Sequence, residues 1–197
     1  MSPTLPQGDN LEYVRIPLDR VGVLVGKGGS VKKDIEDSTG TTIDLDSQSG
    51  EVTISRVRET GDPLSAWVAK DVIKAIGRGF TPEKASRLLD ENQTLRVLDL
   101  TAQLGKSDKA LHRQKSRLIG KGGRTREILE ETTRTYISIM GKTVSVIGDD
   151  EQVAVAQEAI EMIIRGIPHK VVYKFLEKKS RELRDREREI WREAELS

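Results

Sequence analysis

Hydrophobic positions in residues 10–80 change between strand spacing and helix spacing, and these changes predict one small α+β unit. The stretch Leu11–Pro17 is rich in strand-forming residues and ends at a proline, which stops ladder pairing. One buried helix face is indicated by the spacing of Leu64, Trp67, Val68, Val72 and Ile76, which assigns Trp67 to the core. The pattern between them predicts the order βααββα, with helices at Leu18–Val25 and Ser30–Thr39 and strands at Thr42–Leu45 and Glu51–Arg56.

The same pattern occurs a second time. VGKGG at Val25–Gly29 returns as IGKGG at Ile119–Gly123, and the two stretches align from there without a gap. The aligned identities are Glu36 with Glu130, Thr39 with Thr133, Thr41 with Thr135 and Ile43 with Ile137. The second copy predicts a strand at Thr94–Leu100, a helical approach to Ile119, a helix at Arg124–Thr133, a hairpin of Thr135–Met140 and Thr143–Ile147, and a last helix lined by Val153, Ala156, Ile160, Ile163 and Ile164. Farther along, Arg78–Pro82 resembles Arg165–Pro168, so the repeat accounts for most of the chain.

Two segments lie outside the repeated units, which we place at residues 10–80 and 93–167. In residues 81–92, Thr81 and Pro82 have the properties of an N-cap and a first-turn proline, so a connecting helix is predicted at Thr81–Asp90. Residues 168–197 are predicted to form a long charged helix, because opposite charges stand four residues apart. Its apolar heptad line is too sparse for a coiled coil, and we interpret the helix as solvated or partner-dependent.

Composition removes several classes of function. Lys+Arg 33 and Asp+Glu 32 leave a formal charge of +1, and a hydrophobic content of 36% fits two small cores better than one large core. The absence of cysteine excludes disulfide frameworks and thiolate nucleophiles, and His112 and His169 leave little material for a metal site. We therefore expect no enzymatic activity, no metal and no cofactor. No apolar run reaches the roughly 20 residues of a membrane span, which favours a soluble, cytoplasmic protein.

The glycine loops do not fit either common nucleotide motif. A P-loop requires Ser or Thr after its lysine, whereas Lys27 is followed by Gly28. The dinucleotide fingerprint fails because its third glycine position holds Val31 in one copy and Thr125 in the other. A tight helix-helix turn, in which the glycines serve only backbone geometry, is the alternative that needs no ligand.

A GXXG turn between two short helices of a βααββα unit resembles the type I KH module of RNA-binding proteins, and it occurs in both copies. Glycines without side chains allow a sugar-phosphate backbone to approach, and the following helix offers free N–H groups and a positive dipole end. The resemblance implies contacts to about four unpaired nucleotides in each unit, above an apolar floor. The implied residues are Val25, Gly26, Lys27, Gly28, Gly29 and Ile43 in the first unit and Ile119, Gly120, Lys121, Gly122, Gly123 and Ile137 in the second.

Local charge distinguishes the two units. The second loop lies in a stretch without acidic residues, and its basic residues are candidate RNA contacts: Arg113, Lys115, Arg117, Lys121, Arg124 and Arg126. In the first unit, Arg20, Lys27 and other basic residues are followed by the acids Asp34, Glu36 and Asp37. Because neutralisation of phosphates supplies most non-specific affinity, the second unit is predicted to dominate RNA binding.

Almost the whole chain resembles one family. Both copies, the block DVIKAIGRGFTPEKASRLLD from Asp71 and the ending VVYKFLEKK from Val171 are similar to the archaeal KH-domain assembly factor of the small ribosomal subunit. The fold implied is two tandem type I KH domains, each a three-stranded sheet on helices, with a C-terminal helical extension. The resemblance also implies binding to the 3′ end region of small-subunit rRNA, association with the alpha subunit of translation initiation factor 2, and a link to the Nob endonuclease.

Three other functions remain as alternatives at this point. An exosome-associated accessory protein would pair a KH unit with an S1 barrel, and the sequence shows no block of five strands outside the two copies. A general single-strand RNA-binding protein would use the same loops without a preferred target. An adaptor that acts only through its C-terminal helix is also compatible with the sequence.

Overall fold

The computed structural model describes residues 11–57, 64–105 and 107–195, and the chain divides into two compact units, Met1–Glu91 and Asn92–Ser197. The predicted domain start at residue 10 and the last two residues of the predicted C-terminal helix lie outside the described residues. The first unit contains β1 (Leu11–Arg15), α1 (Leu18–Val25), α2 (Ser30–Thr39), β2 (Thr41–Leu45), β3 (Glu51–Arg56), α3 (Ser65–Gly77) and α4 (Pro82–Ala85). Its sheet is antiparallel with the order β1-β3-β2, and the predicted order βααββα is confirmed.

The core of the first unit lies between this sheet and the helices. Alternate residues of the strands face inward, so Ile43, Val52 and Ile54 are at most 1% exposed. They pack against α3, whose buried residues include Ala69, Val72, Ile73 and Ile76. The strand residues that alternate with Ile43, Val52 and Ile54 therefore lie on the opposite, solvent-facing side of the sheet.

The prediction that Trp67 lies in the core is wrong. Trp67 is 60% exposed, and its indole N–H donates a hydrogen bond to Glu12 on β1. Lys70 donates to the other oxygen of Glu12 at 2.6 Å, and this hydrogen bond lowers the pKa of Glu12, with the Trp67 indole adding to the effect. The buried stripe of α3 combines Val72, Ile73 and Ile76 with small residues such as Ala66 and Ala69, which let the helix approach the sheet closely.

The second unit repeats the arrangement with longer elements. It contains β4 (Gln93–Asp99), α5 (Leu100–Leu104), α6 (Asp108–Ile119), α7 (Arg124–Thr133), β5 (Tyr136–Met140), β6 (Thr143–Asp149), α8 (Asp150–Ile164) and α9 (His169–Glu195). The sheet order β4-β6-β5 matches that of the first unit. The predicted helical approach to Ile119 is divided between α5 and α6, and Ser107 caps α6 by accepting a hydrogen bond from the Ala110 N–H at 3.4 Å.

The segment after α3 is only partly a helix. Thr81 is the predicted N-cap, and its hydroxyl accepts a hydrogen bond from the Lys84 N–H at 3.4 Å. However, α4 ends at Ala85 and continues as a 3-10 turn, Ser86–Leu89. Ala85 and Leu88 are buried against the first unit, so the segment is part of that unit rather than a separate connector.

The C-terminal helix is not solvated along its whole length. Val172 and Leu176 are 0% and 1% exposed, in the same core as Leu129 and Ile163. The solvated interpretation therefore fails for the first turns of α9, and the core of the second unit continues beyond residue 167. Farther along, α9 is largely exposed and makes surface ion pairs, such as Arg186 with Glu151 at 3.0 Å, of a kind that contributes little stability.

Candidate nucleic-acid interface

The two GXXG loops have the same backbone geometry. Gly26 has φ 72° and ψ 178°, and Gly120 has φ 75° and ψ 175°. The third and fourth positions are also left-handed, with φ 62° and 82° in the first loop and 62° and 87° in the second. Three of the four positions therefore need a conformation that side chains disfavour. The repeated sequence has produced the same turn twice.

The first glycine of each loop is also required by close packing. A Cβ at Gly26 would lie 2.5 Å from Cγ2 of Val31, and one at Gly120 would lie 2.3 Å from Oγ1 of Thr125. By contrast, a Cβ on any of the last two glycines of either loop would meet nothing within 4 Å. The first glycine lets the loop pack closely against the following helix, and the later glycines leave the outer side of the loop open to a ligand.

Each loop leads directly into a helix that lacks a side-chain cap. Gly29 and Gly123 occupy the N-cap positions of α2 and α7, and neither helix start has a side-chain hydrogen bond. The first N–H groups and the positive end of the helix dipole therefore lie beside the open glycines. Lys27 and Lys121 are exposed at the same place. This combination of donors and positive charge suits a phosphate group.

The identities between the two copies fix the position of this helix on the sheet. Glu36 accepts a hydrogen bond from the Ile43 N–H at 2.7 Å, and Glu130 accepts one from the Ile137 N–H at 2.7 Å. The hydroxyls of Thr39 and Thr41 lie 2.8 Å apart, as do those of Thr133 and Thr135. These buried polar pairs join the end of the helix to the following strand. The repeated residues outside the loops therefore have a structural role, because they hold α2 and α7 against the strands that follow them.

The predicted apolar floor is only partly on the surface. Ile43 is 1% exposed and Ile137 is 4% exposed, so both belong to the cores and support the floor from below. Val25 is half-buried and Ile119 is 36% exposed, beside the first glycine of each loop. In the free protein, Val25 and Ile119 are the members of this set that can touch a base.

The predicted basic residues of the second unit have different surroundings. Arg113 and Lys121 are exposed, and no hydrogen bond or ion pair involves either side chain within the described part of the chain. Lys115 donates to the Gly141 carbonyl at 2.9 Å. Arg124 lies 3.5 Å from Glu127, and Arg126 lies 3.7 Å from Glu130. Both arginines are exposed, so these surface pairs are weak and can rearrange when phosphate approaches.

Arg117 was predicted to contact RNA, but its guanidinium has a structural role inside the second unit. Its half-buried guanidinium donates to the carbonyls of Ile163 at 3.0 Å and Ile167 at 2.8 Å, at the end of α8 and just beyond it. In the first unit, Arg20 donates to the Ile76 carbonyl at 2.8 Å and the Phe80 carbonyl at 2.6 Å. Arg20 therefore joins α1 to the end of α3, and Arg117 joins α6 to the end of α8. No local sequence signal distinguishes such an arginine from its basic neighbours.

Sequence reasoning also missed the support that α9 gives to the second loop. The Tyr173 hydroxyl lies 3.3 Å from the Thr125 hydroxyl, and Thr125 is the residue packed against Gly120. His169 Nε2 lies 3.0 Å from the Arg117 carbonyl. The inner side of the second loop is therefore held by the C-terminal helix. This contact joins residues far apart in sequence, and helix periodicity could not reveal it.

The described residues contain no group of three or more His, Cys, Asp or Glu side chains placed to hold a metal ion. Within the same ranges, no helix combines the length and the apolar character needed to cross a membrane.

Comparisons with known proteins agree with the geometry of both units. The family described as "KH domain" matches residues 11–75, and "Eukaryotic type KH-domain (KH-domain type I)" matches residues 94–181. A KH domain-containing protein of Methanocaldococcus jannaschii is 41% identical over 186 residues, which are 94% of this chain and 81% of that protein.

Three solved structures are similar over most of the chain. Dim2p from Pyrococcus horikoshii is 48% identical, with a TM-score of 0.81 over 86% of this chain and 99% of that one. A protein of unknown function from Aeropyrum pernix is 41% identical, with a TM-score of 0.91 over 95% and 100% of the two chains. A chain in a complex of a/eIF2alpha, aDim2p and rRNA from P. horikoshii is 48% identical, with a TM-score of 0.83 over 87% and 94%.

Proposed function

The chain belongs to the archaeal family of two-KH-domain ribosome assembly proteins that includes Dim2p, and from this premise we propose that it binds the unpaired 3′ end of small-subunit rRNA through both loops. KH domains bind single-stranded RNA at the GXXG turn. In this role the protein positions an RNA end during subunit assembly and carries out no reaction itself. We place this activity in the cytoplasm.

One observation carries the proposal. Both loops have the same left-handed geometry, both open onto an uncapped helix, and both present an exposed lysine, Lys27 or Lys121. Each loop can therefore receive a phosphate of its own. Since a KH unit holds about four nucleotides, an unpaired tail of about eight nucleotides or more can engage both units.

The protein partners that we propose for this chain are inferred from its relatives. The P. horikoshii complex contains a/eIF2alpha and rRNA together with aDim2p, which supports the alpha subunit of translation initiation factor 2 as a partner of this chain. Association with the Nob endonuclease follows from the family resemblance alone and stays a prediction.

A competition experiment tests the target. Labelled RNA with the sequence of the rRNA 3′ tail is bound to the full chain and displaced by three competitors: the same RNA unlabelled, a scrambled RNA of equal composition, and a duplex of the tail. We expect the unlabelled tail to compete at least about tenfold better than either of the others, a difference of about 1.4 kcal/mol. Equal competition by the scrambled RNA would reduce the protein to a general single-strand binder, and equal competition by the duplex would refute binding of splayed bases.

A further inference from the structure

The first unit carries a groove that begins beside its glycine loop, where Ser30 and Val31 at the start of α2 line it, and extends away from the loop along α2. The groove has a volume of about 390 Å³ and runs between α2, the end of α3, and α4 with its 3-10 turn. Its apolar lining includes Ile35, Val72 and Ile76. A second cavity of about 380 Å³ shares Ser38 and Leu89 with it, so the open space continues along α2 toward Gly40.

In the second unit, the corresponding place is filled by α9. Helices α3 and α8 end with the same hydrogen bonds, from the Gly79 N–H to the Ile76 carbonyl and from the Gly166 N–H to the Ile163 carbonyl. After this turn the chain enters α4 in the first unit and α9 in the second. Both follow the same path across the two preceding helices, because α4 and its 3-10 turn pack on α3 and α2, and α9 packs on α8 and α7.

Two side chains of α9 account for the difference. Tyr173 reaches Thr125 on α7, and Leu176 is 1% exposed. Counted from the end of the shared turn, the residues at these positions in the first unit are Ser86 and Leu89. Serine is too short to fill the space of a tyrosine, and the change to a 3-10 turn leaves Leu89 38% exposed. The groove is therefore the volume that α9 fills in the other copy.

The rim of the groove is acidic. Asp34 and Glu83 line the main cavity, and Asp37 and Glu91 line its continuation. Among the described residues that line the two cavities there is no lysine or arginine. The counterpart in the second unit is a basic helix: residues 168–181 contain four lysines and one arginine but only one glutamate. The acidic rim and the shape of the groove therefore both favour a basic helix similar to residues 168–181.

We infer that the groove of the first unit is a docking site for a basic amphipathic helix of a partner protein. This helix presents an aromatic and an aliphatic side chain three residues apart, as Tyr173 and Leu176 do in α9. Its apolar side chains enter between α2 and α3, and its basic residues face Asp34 and Glu83. Insertion of an amphipathic helix into an apolar groove is a common mode of recognition. One end of the site adjoins the first loop through Ser30 and Val31, whereas Lys27, Gly28 and Gly29 do not line it.

The chain supplies a probe for this groove. A labelled, helix-stabilised peptide with the sequence of residues 168–181 is titrated into the full protein, with a scrambled peptide of the same composition as control. We expect saturable binding of the ordered sequence. Ser86→Tyr, which fills the groove in the way Tyr173 does in the second unit, should weaken peptide binding at least about tenfold, or about 1.4 kcal/mol. The same variant should raise the melting temperature and leave RNA affinity unchanged.

Charge is tested separately by Asp34→Lys, with Asp44→Lys as the matched control because Asp44 is an exposed acid on β2 and does not line the groove. Weaker peptide binding in the first variant alone supports the proposal. Equal binding by the scrambled peptide, or binding unaffected by both Ser86→Tyr and Asp34→Lys, overturns it.

The natural occupant is identified with a photo-crosslinking amino acid at position 86 in cells, followed by mass spectrometry of the joined peptide. A basic amphipathic helix of another protein supports the inference. Crosslinks to RNA, to a second copy of this chain or to the chain's own first ten residues overturn it, since each would give the groove a different occupant.

Discussion

Arg113 and Arg117 lie one turn apart on α6 and have different tasks. Arg117 is held by two backbone carbonyls, whereas Arg113 is exposed. We expect Arg117→Ala to lower the free energy of unfolding by about 1.5–3 kcal/mol, because it removes charge-assisted hydrogen bonds and leaves carbonyls unpaired. Arg113→Ala should weaken RNA binding and change stability by less than about 0.5 kcal/mol. Chemical denaturation and RNA titration of both variants check this. Equal stability of the two variants would contradict the role assigned to Arg117.

The loop residues allow a second comparison at the same scale. Lys121→Asp with Gly122→Asp places two negative charges at the proposed phosphate site, and we expect RNA affinity to fall at least about tenfold. The fold should survive, because Lys121 is exposed, a side chain at Gly122 meets open space and aspartate tolerates a left-handed backbone better than most residues. The matched change at Lys27 and Gly28 should have a smaller effect, since acidic residues follow that loop. Fluorescence polarisation measures both, and an equal or larger loss in the first unit would reverse the ranking.

For single residues, the sequence predicted the backbone of the glycine turns better than it predicted side-chain burial and hydrogen-bond partners. The positions of the glycines and the backbone they require followed from local pattern, because a left-handed turn is a property of a few neighbouring residues. The exposure of Trp67 and the carbonyl partners of Arg117 did not, since both depend on elements distant in the chain. Contact of the loop residues with RNA stays a prediction.

The burial of α9 leads to a prediction about an element. Leu176 is 1% exposed in the core of the second unit, whereas Leu183, two turns later on the same helix, is only partly buried. Leu176→Ala should therefore lower the free energy of unfolding by about 2–5 kcal/mol, and Leu183→Ala should cost clearly less. Thermal denaturation of the two variants tests this. A solvated α9 would make the two losses alike and small.

Most helix limits could be predicted, and the exceptions have a common cause. The limits of α1, α2 and α7 agree with the pattern because glycines end or begin these helices. The segment after Thr81 begins as predicted and then departs from the α-helix at Ser86. Leu88 is buried by this change and Leu89 is exposed. Packing on α2 and α3 decides this, and such packing has no signature in the residues of the segment itself.

Two loops in one molecule predict a dependence on RNA length. A strand long enough to reach both loops gains affinity because the second contact is intramolecular. We expect affinity to rise steeply between about four nucleotides and about eight or more. The double aspartate change in either loop should abolish the rise while retaining the affinity of a single site. A length series measured by polarisation gives the answer, and a rise that persists in both variants would exclude joint use of the loops.

The arginine that joins α1 to the end of α3, or α6 to the end of α8, stands at a different place in each half. Arg20 lies six residues before Gly26, and Arg117 lies three residues before Gly120. Aligned by their loops, Arg20 corresponds to Gln114 and Arg117 to Val23. The side-chain oxygen of Gln114 is itself 3.5 Å from the Arg117 guanidinium. The two halves thus place the cation one helical turn apart, while the carbonyls that accept its hydrogen bonds are equivalent. A chimera in which the last turns of α6 replace α1 must therefore change both positions together. In the first unit, Arg20→Gln alone would leave no such arginine, and Val23→Arg alone would leave two.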